Sequence, residues 1–181
     1  MPSLLSLLDD LVKDCSVALV GNSERILRDK PGARIDRHDV VVRINRGLPS
    51  LIDSEAIGSR TTIWATAKHW SDAKAPDDCL GLVWMKLTPM GKAQLPLFQR
   101  AHPKRFVYEW PQVYEDECRE FVGADPGTGI RLLWWLKTKA KPRSVSVYGM
   151  DCWDEPSHWS KKKNTPNHIP QLEREAMLRL L

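Results

Sequence analysis

Apolar residues in this chain form short runs separated by polar stretches with turn residues. Runs that are rich in β-branched or aromatic residues and are bounded by Gly, Pro, Asn, Asp or Ser are typical of buried strands. The pattern predicts six strands, at Ser16–Val20, Val40–Ile44, Thr61–Thr66, Leu80–Lys86, Arg105–Glu109 and Ser144–Tyr148. The first strand in particular is continuously apolar rather than alternating, which indicates a parallel sheet that is covered on both faces.

Helical spacing of apolar residues occurs between these runs and at both ends of the chain. The opening residues MPSLLSLLDDLVKDC predict an amphipathic helix, and Thr128–Lys139 has the strongest helical pattern in the chain. Shorter helices are predicted at Ser23–Arg28, Pro111–Phe121 and Gln171–Leu181. Pro49–Gly58 is predicted to be a loop. Alternating strands and helices predict one α/β domain over residues 1–181, with a Rossmann-like, mostly parallel sheet.

The turn after the first strand, Gly21-Asn22-Ser23, is a candidate nucleotide site. In a doubly wound sheet, such a turn presents backbone N–H groups to a phosphate at the carboxyl end of a strand. Gly21 permits a positive φ or a close approach to a ligand, Asn22 offers amide donors and an acceptor, and Ser23 is able to cap the next helix. The same residues also fit an ordinary strand-to-helix turn, so a longer pattern is needed to distinguish a nucleotide site from such a turn.

Composition limits the class of partner. A net charge of +4 with scattered basic residues fits a pocket for an anionic ligand better than a nucleic-acid groove, so no nucleic-acid partner is expected. Asp9 and Asp10 interrupt the first apolar stretch well short of the roughly 20 residues of a membrane span, and no signal-peptide pattern is present. The four cysteines form no CxxC pair. These features predict a cytoplasmic protein with reduced thiols.

A longer pattern follows the first turn. VALVGNS is followed by Ile35-Asp36 and His38-Asp39, then by VVxRxN ending at Asn45, and later by Gly58-Ser59-Arg60-Thr61-Thr62. Together these residues resemble the long donor-binding sialylmotif of the eukaryotic-type sialyltransferases, glycosyltransferase family 29. A match of about forty residues in one order is more specific than a lone glycine turn.

The second half of the chain carries a further resemblance. Asp125-Pro-Gly-Thr-Gly-Ile130, a helix, and a strand ending in Tyr148-Gly149 resemble the short sialylmotif of the same family. Gly127 stands where the family usually has serine, so one hydroxyl is lost. Gly127, Thr128 and Gly129 are nevertheless expected to present free N–H groups at a helix N-terminus. A plain threonine cap also explains Thr128, although it does not explain a glycine on each side.

Two tail motifs complete the resemblance. His158-Trp159 is similar to the third family motif, and His168 with Glu173 matches the last one, HxxxxE. Taken alone, both histidines fit surface residues, but their order and spacing after Tyr148-Gly149 favour the motifs. Pro170 places His168 in the loop before the last helix. Glu173, five residues on, is interpreted as a first-turn carboxylate and not as the partner of His168.

The resemblance implies a variant of the glycosyltransferase A fold and a sialyltransferase-like enzyme that uses CMP-sialic acid as its donor and a glycan as its acceptor. By the same resemblance, Asn22 and Asn45 bind the CMP moiety, while Ser23 and the turn formed by Gly127, Thr128 and Gly129 complete the donor pocket. His158 then faces the donor phosphate and His168 is the general base, and the reaction is a single displacement with inversion. Trp159 lies in the polar tail, where an aromatic side chain often lines a site.

Other family features are absent or shortened. No DxD motif is present to hold a divalent cation, so neither a metal nor a cofactor is expected. The animal enzymes carry a membrane anchor and a disulfide between the sialylmotifs, and the corresponding positions here are Val17 and Pro142. The stretch from Ala65 to Ala124 is shorter than in animal relatives and leaves the acceptor open. The run Lys161–Lys163 fits a solvated loop and allows at most peripheral membrane association. Transfer of another CMP-activated sugar such as Kdo, and a non-catalytic CMP-binding module, stay open as alternatives.

Overall fold

The computed structural model of the protein describes residues 4–49, 52–67, 74–85, 89–152 and 168–181. The strands are β1 (Ser16–Val20), β2 (Val40–Ile44), β3 (Ile63–Thr66), β4 (Gly81–Trp84), β5 (Val107–Glu109) and β6 (Ser144–Tyr148). The helices are α1 (Leu4–Val12), α2 (Arg25–Asp29), α3 (Gly32–Ile35), α4 (Ser54–Ile57), α5 (Pro89–Ala101), α6 (Gln112–Val122), α7 (Thr128–Trp135) and α8 (Pro170–Leu180). A π-helical turn, Leu136–Ala140, extends α7.

The six strands form one sheet in the order β5-β4-β3-β2-β1-β6, and every described pair is parallel. The chain adds β2 to β5 on one side of β1 and then returns to place β6 on the other side. The strand order therefore reverses between β1 and β6, and open α/β sheets bind ligands beyond the carboxyl ends of the strands at such a point. Val20 is in register with Tyr148, so β1 and β6 end side by side.

Helices cover both faces of the sheet, as the sequence predicts. Val17 and Leu19 of β1 lie in a buried cluster with residues of α1, α6, α7 and α8. Ala18 and Val20, which point the opposite way, pack with residues of α2, α3 and α4. Trp64 and Trp84 form a third cluster with Phe98 of α5. The fold is a Rossmann-like α/β fold with a parallel sheet between two helical layers.

All six predicted strands are present, but three of the helices differ from the sequence-based expectation. The sequence pattern predicts no helix at Gly32–Ile35, where α3 forms, and Pro31 directly before it fits the N-terminus of a helix. The predicted loop contains α4, whose first turn is capped where Asp53 Oδ1 accepts from the Glu55 N–H at 2.9 Å. The pattern did not predict α5, since Pro96 lies inside this helix.

The two positions aligned with the family's disulfide, Val17 and Pro142, lie near the amino ends of β1 and β6, away from the edge where the strands end. No disulfide joins any of the four cysteines, all of which are described. Next to the two positions aligned with the family's disulfide, Asp39 Oδ2 accepts from the Ser16 N–H at 2.8 Å and from Arg143 Nη2 at 2.7 Å, which connects β1 with the chain entering β6. No helix in the described part of the chain has both the length and the apolar character needed to cross a membrane.

Candidate functional site

Gly21 lies where the ends of β1 and β6 approach most closely. Its N–H donates to the Tyr148 carbonyl at 2.7 Å, and a Cβ at this position would lie 2.3 Å from the Gly149 carbonyl oxygen and 2.5 Å from Met150 Cγ. The φ of Gly21 is not positive, whereas that of Gly149 is 59°. Glycine is therefore required at position 21 because another backbone segment passes within contact distance.

Ser23 is almost completely buried and joins the first turn to the segment after β6. Its N–H donates to the Gly149 carbonyl at 2.9 Å, and its hydroxyl donates to Asp151 Oδ2 at 2.6 Å. The same hydroxyl accepts from the Arg25 N–H at 3.2 Å, so the predicted capping role is present. Sequence reasoning missed Asp151, although its place two residues beyond the Tyr148-Gly149 motif was the available signal.

Asn22 and Asn45 follow β1 and β2, and neighbouring backbone fixes both side-chain amides. Asn22 Nδ2 donates to the Ile44 carbonyl at 3.3 Å, and its buried Oδ1 has no hydrogen-bond partner within the described ranges. Asn45 adopts the left-handed conformation with φ of 49°, and its Oδ1 accepts from the Ala67 N–H at 3.1 Å. An unsatisfied buried acceptor needs an explanation, so Asn22 Oδ1 makes this edge of the sheet a candidate for ligand contact.

The start of α7 lies against the same edge. A Cβ at Gly129 would be 2.9 Å from Met150 Cε and 3.6 Å from Ile44 Cδ1, so α7 begins beside the ends of β6 and β2. The Gly127 N–H donates to Glu173 Oε1 at 2.8 Å. The expectation of a free N–H at Gly127 is therefore wrong, because a carboxylate of this chain already occupies the positive N-terminal end of α7. Thr128, next in the chain, is partly exposed.

His168 is held by two acceptors through a single ring nitrogen. Its Nδ1 lies 3.1 Å from Glu173 Oε1 and 3.1 Å from the carbonyl oxygen of Asp125. A carboxylate and a carbonyl both accept hydrogen bonds, so Nδ1 carries the proton and the lone pair of the neutral ring is on Nε2. This arrangement of a carboxylate behind an imidazole is the one that orients a histidine general base.

The prediction that Glu173 is not the partner of His168 is wrong. His168 precedes α8, where Ile169 is extended with φ of −110° and ψ of 96°, so helical spacing does not apply to the pair. Side chains of a helix tilt toward its N-terminus, which brings the Glu173 carboxylate back over the first turn. Burial alone lowers the pKa of His168, but the hydrogen bond and charge of Glu173 outweigh burial and raise this pKa above its ordinary value of 6.5.

A buried ion cluster holds the loop that contacts His168 and Glu173. Arg131 of α7 binds Glu115 of α6 through two contacts of 2.6 Å, Nε to Oε2 and Nη2 to Oε1. Arg131 also contacts Asp125 Oδ1 at 2.9 Å and donates from Nη1 to the Pro126 carbonyl. Sequence reasoning missed this cluster. The only local signal was a charged residue within the apolar face of α7, because Glu115 is remote in the chain.

Other polar residues of the long motif are structural. The Arg43 side chain is completely buried and donates to the carbonyls of Arg60 and Ile57, each at 2.8 Å. Burial lowers the pKa of Arg43 to about 10. Asp36 accepts from the N–H groups of Ser59, at 2.8 Å, and of Arg60, at 3.1 Å. These residues hold the chain between β2 and β3 and do not face the end of the sheet.

The described residues do not include every predicted site residue. His158 and Trp159 lie outside them, as does the run Lys161–Lys163, so their roles stay predictions. In the ranges that the structure covers, no three His, Cys, Asp or Glu side chains come together as a metal site.

Comparison with known proteins finds one matching family model and similar solved structures. Residues 6–73 match the model of glycosyltransferase family 29 (sialyltransferase). The crystal structure of a mammalian sialyltransferase in complex with Gal-beta-1-3GalNAc-ortho-nitrophenol is similar, with a TM-score of 0.69 and 18% identity over 96% of this chain and 68% of that one. A second mammalian sialyltransferase structure has a TM-score of 0.67 and 18% identity over 92% of this chain and 65% of that one. No curated protein matches. At this identity the structures show the fold alone, and the chain spans about two thirds of their length.

Proposed function

Residues 6–73 match the model of glycosyltransferase family 29, and from this match we propose that the chain is a member of this family and transfers sialic acid from CMP-sialic acid to a glycan hydroxyl with inversion. One observation carries the proposal. His168 Nδ1 lies 3.1 Å from both Glu173 Oε1 and the Asp125 carbonyl oxygen, which favours the tautomer with the lone pair on Nε2, and the start of α7 that binds Glu173 lies beside the ends of β6 and β2. Transfer from a nucleotide sugar requires a proton acceptor for the attacking hydroxyl and polar groups that bind the nucleotide.

The donor pocket is assigned to the turn after β1 and the end of β2. Asn22 Oδ1 is a buried acceptor that needs a donor, which a cytosine amino group or a ribose hydroxyl supplies. The Nδ2 group of Asn45 donates to the nucleotide, and the N–H groups of Thr128 and Gly129 donate to the phosphate or to the sialic acid carboxylate. Gly127 acts indirectly, since its N–H holds Glu173. Ser23 likewise supports the pocket by fixing Asp151.

The chemistry is a proton transfer coupled to one displacement. The acceptor hydroxyl gives its proton to His168 Nε2, and its oxygen forms a bond to the anomeric carbon of the sialic acid. The bond between that carbon and the phosphate oxygen breaks, and CMP leaves with the electron pair. Glu173 stabilises the imidazolium that forms, because it lies 3.1 Å from Nδ1. The N–H groups of Thr128 and Gly129, next to the Gly127 N–H that Glu173 already binds, are assigned to stabilise the charge on the departing phosphate, and His158 is assigned the same role.

The test is to measure CMP release from CMP-sialic acid and from CMP-Kdo side by side, with and without galactosides such as Galβ1-3GalNAc as acceptors. The proposal predicts release from CMP-sialic acid that an acceptor accelerates, and much slower release from CMP-Kdo. Faster turnover of CMP-Kdo would reassign the sugar. A rise in melting temperature with CMP, of the size that a ligand bound only by the folded state produces, but without release from either donor, would show a CMP-binding module instead.

A further inference from the structure

Beyond the direct contacts of His168 lies the buried ion cluster of Glu115, Asp125 and Arg131. We propose that Arg131, paired with Glu115, is a positioning residue for His168, acting through the loop from Ala124 to Gly127. The inference rests on the proposed role of His168 as the general base. Neither Arg131 nor Glu115 contacts His168, so their effect must pass through the backbone between them.

Three consecutive residues of this loop contact Arg131 on one side and the pair of His168 and Glu173 on the other. Arg131 holds the Asp125 carboxylate and the Pro126 carbonyl, while the Asp125 carbonyl accepts from His168 and the Gly127 N–H donates to Glu173. Pro126, whose ring restricts φ, lies between the two residues that contact His168 and Glu173. A shift of the loop relative to Arg131 therefore also shifts both groups that set the tautomer of His168.

The Arg131–Glu115 pair is buried and has a defined geometry, which suits it to hold the loop in one position. The Arg131 side chain is 12% exposed and that of Glu115 is 6% exposed, and their fork-to-fork contact fixes the plane of the guanidinium. Arg119 adds a second contact to the same Glu115 and Asp125 oxygens, at 3.1 and 2.9 Å. The guanidinium thereby ties α6, α7 and the loop into one unit.

Several charged and titratable groups surround His168, and the test must separate their charge from their geometry. Glu173 of α8 and Asp125 of the loop act directly on His168, and behind them lie Glu115, Cys118 and Arg119 of α6 and Arg131 of α7. Replacing Glu115 and Arg131 together removes one negative and one positive charge, so the net charge near His168 does not change. A matched apolar pair also avoids leaving a single buried charge.

The test variant is E115M/R131M, and R143M, which loses an arginine–aspartate pair at the amino end of the sheet, is the control. Nitrogen-15 NMR of labelled histidine, assigned with His168→Ala, reports the tautomer and titration of His168 without any substrate. We expect a single Nδ1-protonated tautomer in the wild type and R143M, and a mixture in the double variant. We further expect the double variant to lose roughly 10- to 100-fold in kcat, with CMP affinity within about twofold of wild type.

A wild-type tautomer and titration in E115M/R131M would overturn the positioning role. A mixed tautomer with wild-type turnover would leave that role standing and refute His168 as the base, so the two failures are distinguishable. If the double variant does not fold, Asp125→Asn takes its place, since it keeps the backbone carbonyl and removes the partly exposed carboxylate that Arg131 holds. The same mixture of His168 tautomers is expected in Asp125→Asn, and a single Nδ1-protonated tautomer there would refute the proposal.

Discussion

The candidate site has two halves that are built in different ways. The donor half consists of Gly21, Asn22, Ser23 and Asn45, which follow the ends of β1 and β2 and are fixed by hydrogen bonds to adjacent backbone. The proton-transfer half consists of the start of α7 with His168 and Glu173, where ionisable groups from separate parts of the chain contact one another. The donor half therefore offers neutral amides and N–H groups, and the proton-transfer half offers charge.

This difference indicates how the two halves respond to substitution. A neutral amide held by backbone should affect ligand binding at any pH, because nothing in it titrates near neutrality. A histidine coupled to a carboxylate should affect turnover and its pH dependence, with little effect on the binding of a nucleotide. Substitutions that separate binding from turnover thus test the division directly.

The largest effect is expected from His168→Ala. Removing the proton acceptor should reduce turnover by roughly 10²- to 10⁴-fold while CMP affinity stays within a few-fold, since CMP lacks the acceptor hydroxyl. Steady-state kinetics and calorimetric titration with CMP measure the two effects. His38→Ala is the control, because the contacts described for the His38 ring are with the carbonyls of Arg34 and Ile35, at its own helix end, and with the Tyr148 ring. Equal loss of CMP binding and turnover in His168→Ala would contradict the division.

A smaller effect, on binding, is expected from Asn45→Asp. Aspartate keeps the oxygen that accepts from the Ala67 N–H and tolerates the left-handed backbone, but it replaces the Nδ2 donor by a charged oxygen. CMP affinity should fall about tenfold, or about 1.4 kcal/mol, at every pH tested. Asp39→Asn, at the amino end of β2, is a charge-altering control that should leave the affinity unchanged. Wild-type affinity in Asn45→Asp would remove Asn45 from the donor half.

A shift in pH dependence is expected from Glu173→Gln. Glu173 raises the pKa of His168, so the base of the wild-type enzyme becomes neutral only as pH rises through a value above 6.5. Glutamine keeps an oxygen for the Gly127 N–H but has no charge, and the acidic limb of kcat/KM should move to lower pH. At a pH below the wild-type midpoint, the variant then loses less of its maximal rate than the wild type does. An unmoved acidic limb would show that Glu173 does not set the pKa of the titrating group.

Chelation of divalent cations is expected to have no effect on turnover. Neither half brings together three metal-ligating side chains in the described part of the chain, and we expect turnover to persist in EDTA. The Asp151 carboxylate, which lies next to the donor half, accepts a hydrogen bond from the Ser23 hydroxyl. Activity that is lost on chelation and restored by magnesium or manganese would show that the donor half depends on a cation.

The sheet was largely predictable from the sequence, and so were the positions of Gly21, Asn22 and Asn45 at its edge, whose role in donor binding stays a proposal. Buried parallel strands are continuous apolar runs, and Gly21, Asn22 and Asn45 directly follow two of them, so local order in the chain identified both. Helix α5 was missed because the internal Pro96 breaks the pattern that identifies a helix, although tertiary packing of Phe98 stabilises it.

The proton-transfer half was predictable only in part. His168 was proposed as the base from its motif, and its contact with Glu173 depends on an extended residue before α8 that spacing does not reveal. Gly127 appeared to offer a free N–H because the competing carboxylate is remote in sequence. Arg131 was missed for the same reason, since its partners become neighbours only in the folded chain.

The most direct test of His168 as the base is the pH dependence of kcat/KM for sialyl transfer in the wild type and in His168→Ala. The wild-type rate should rise with pH and reach a plateau, with a midpoint above 6.5, because Glu173 raises the pKa of this histidine. The residual rate of His168→Ala should show no such rise. An acidic limb with the same midpoint in both proteins would assign the titration to another group and contradict the proton-transfer role of His168.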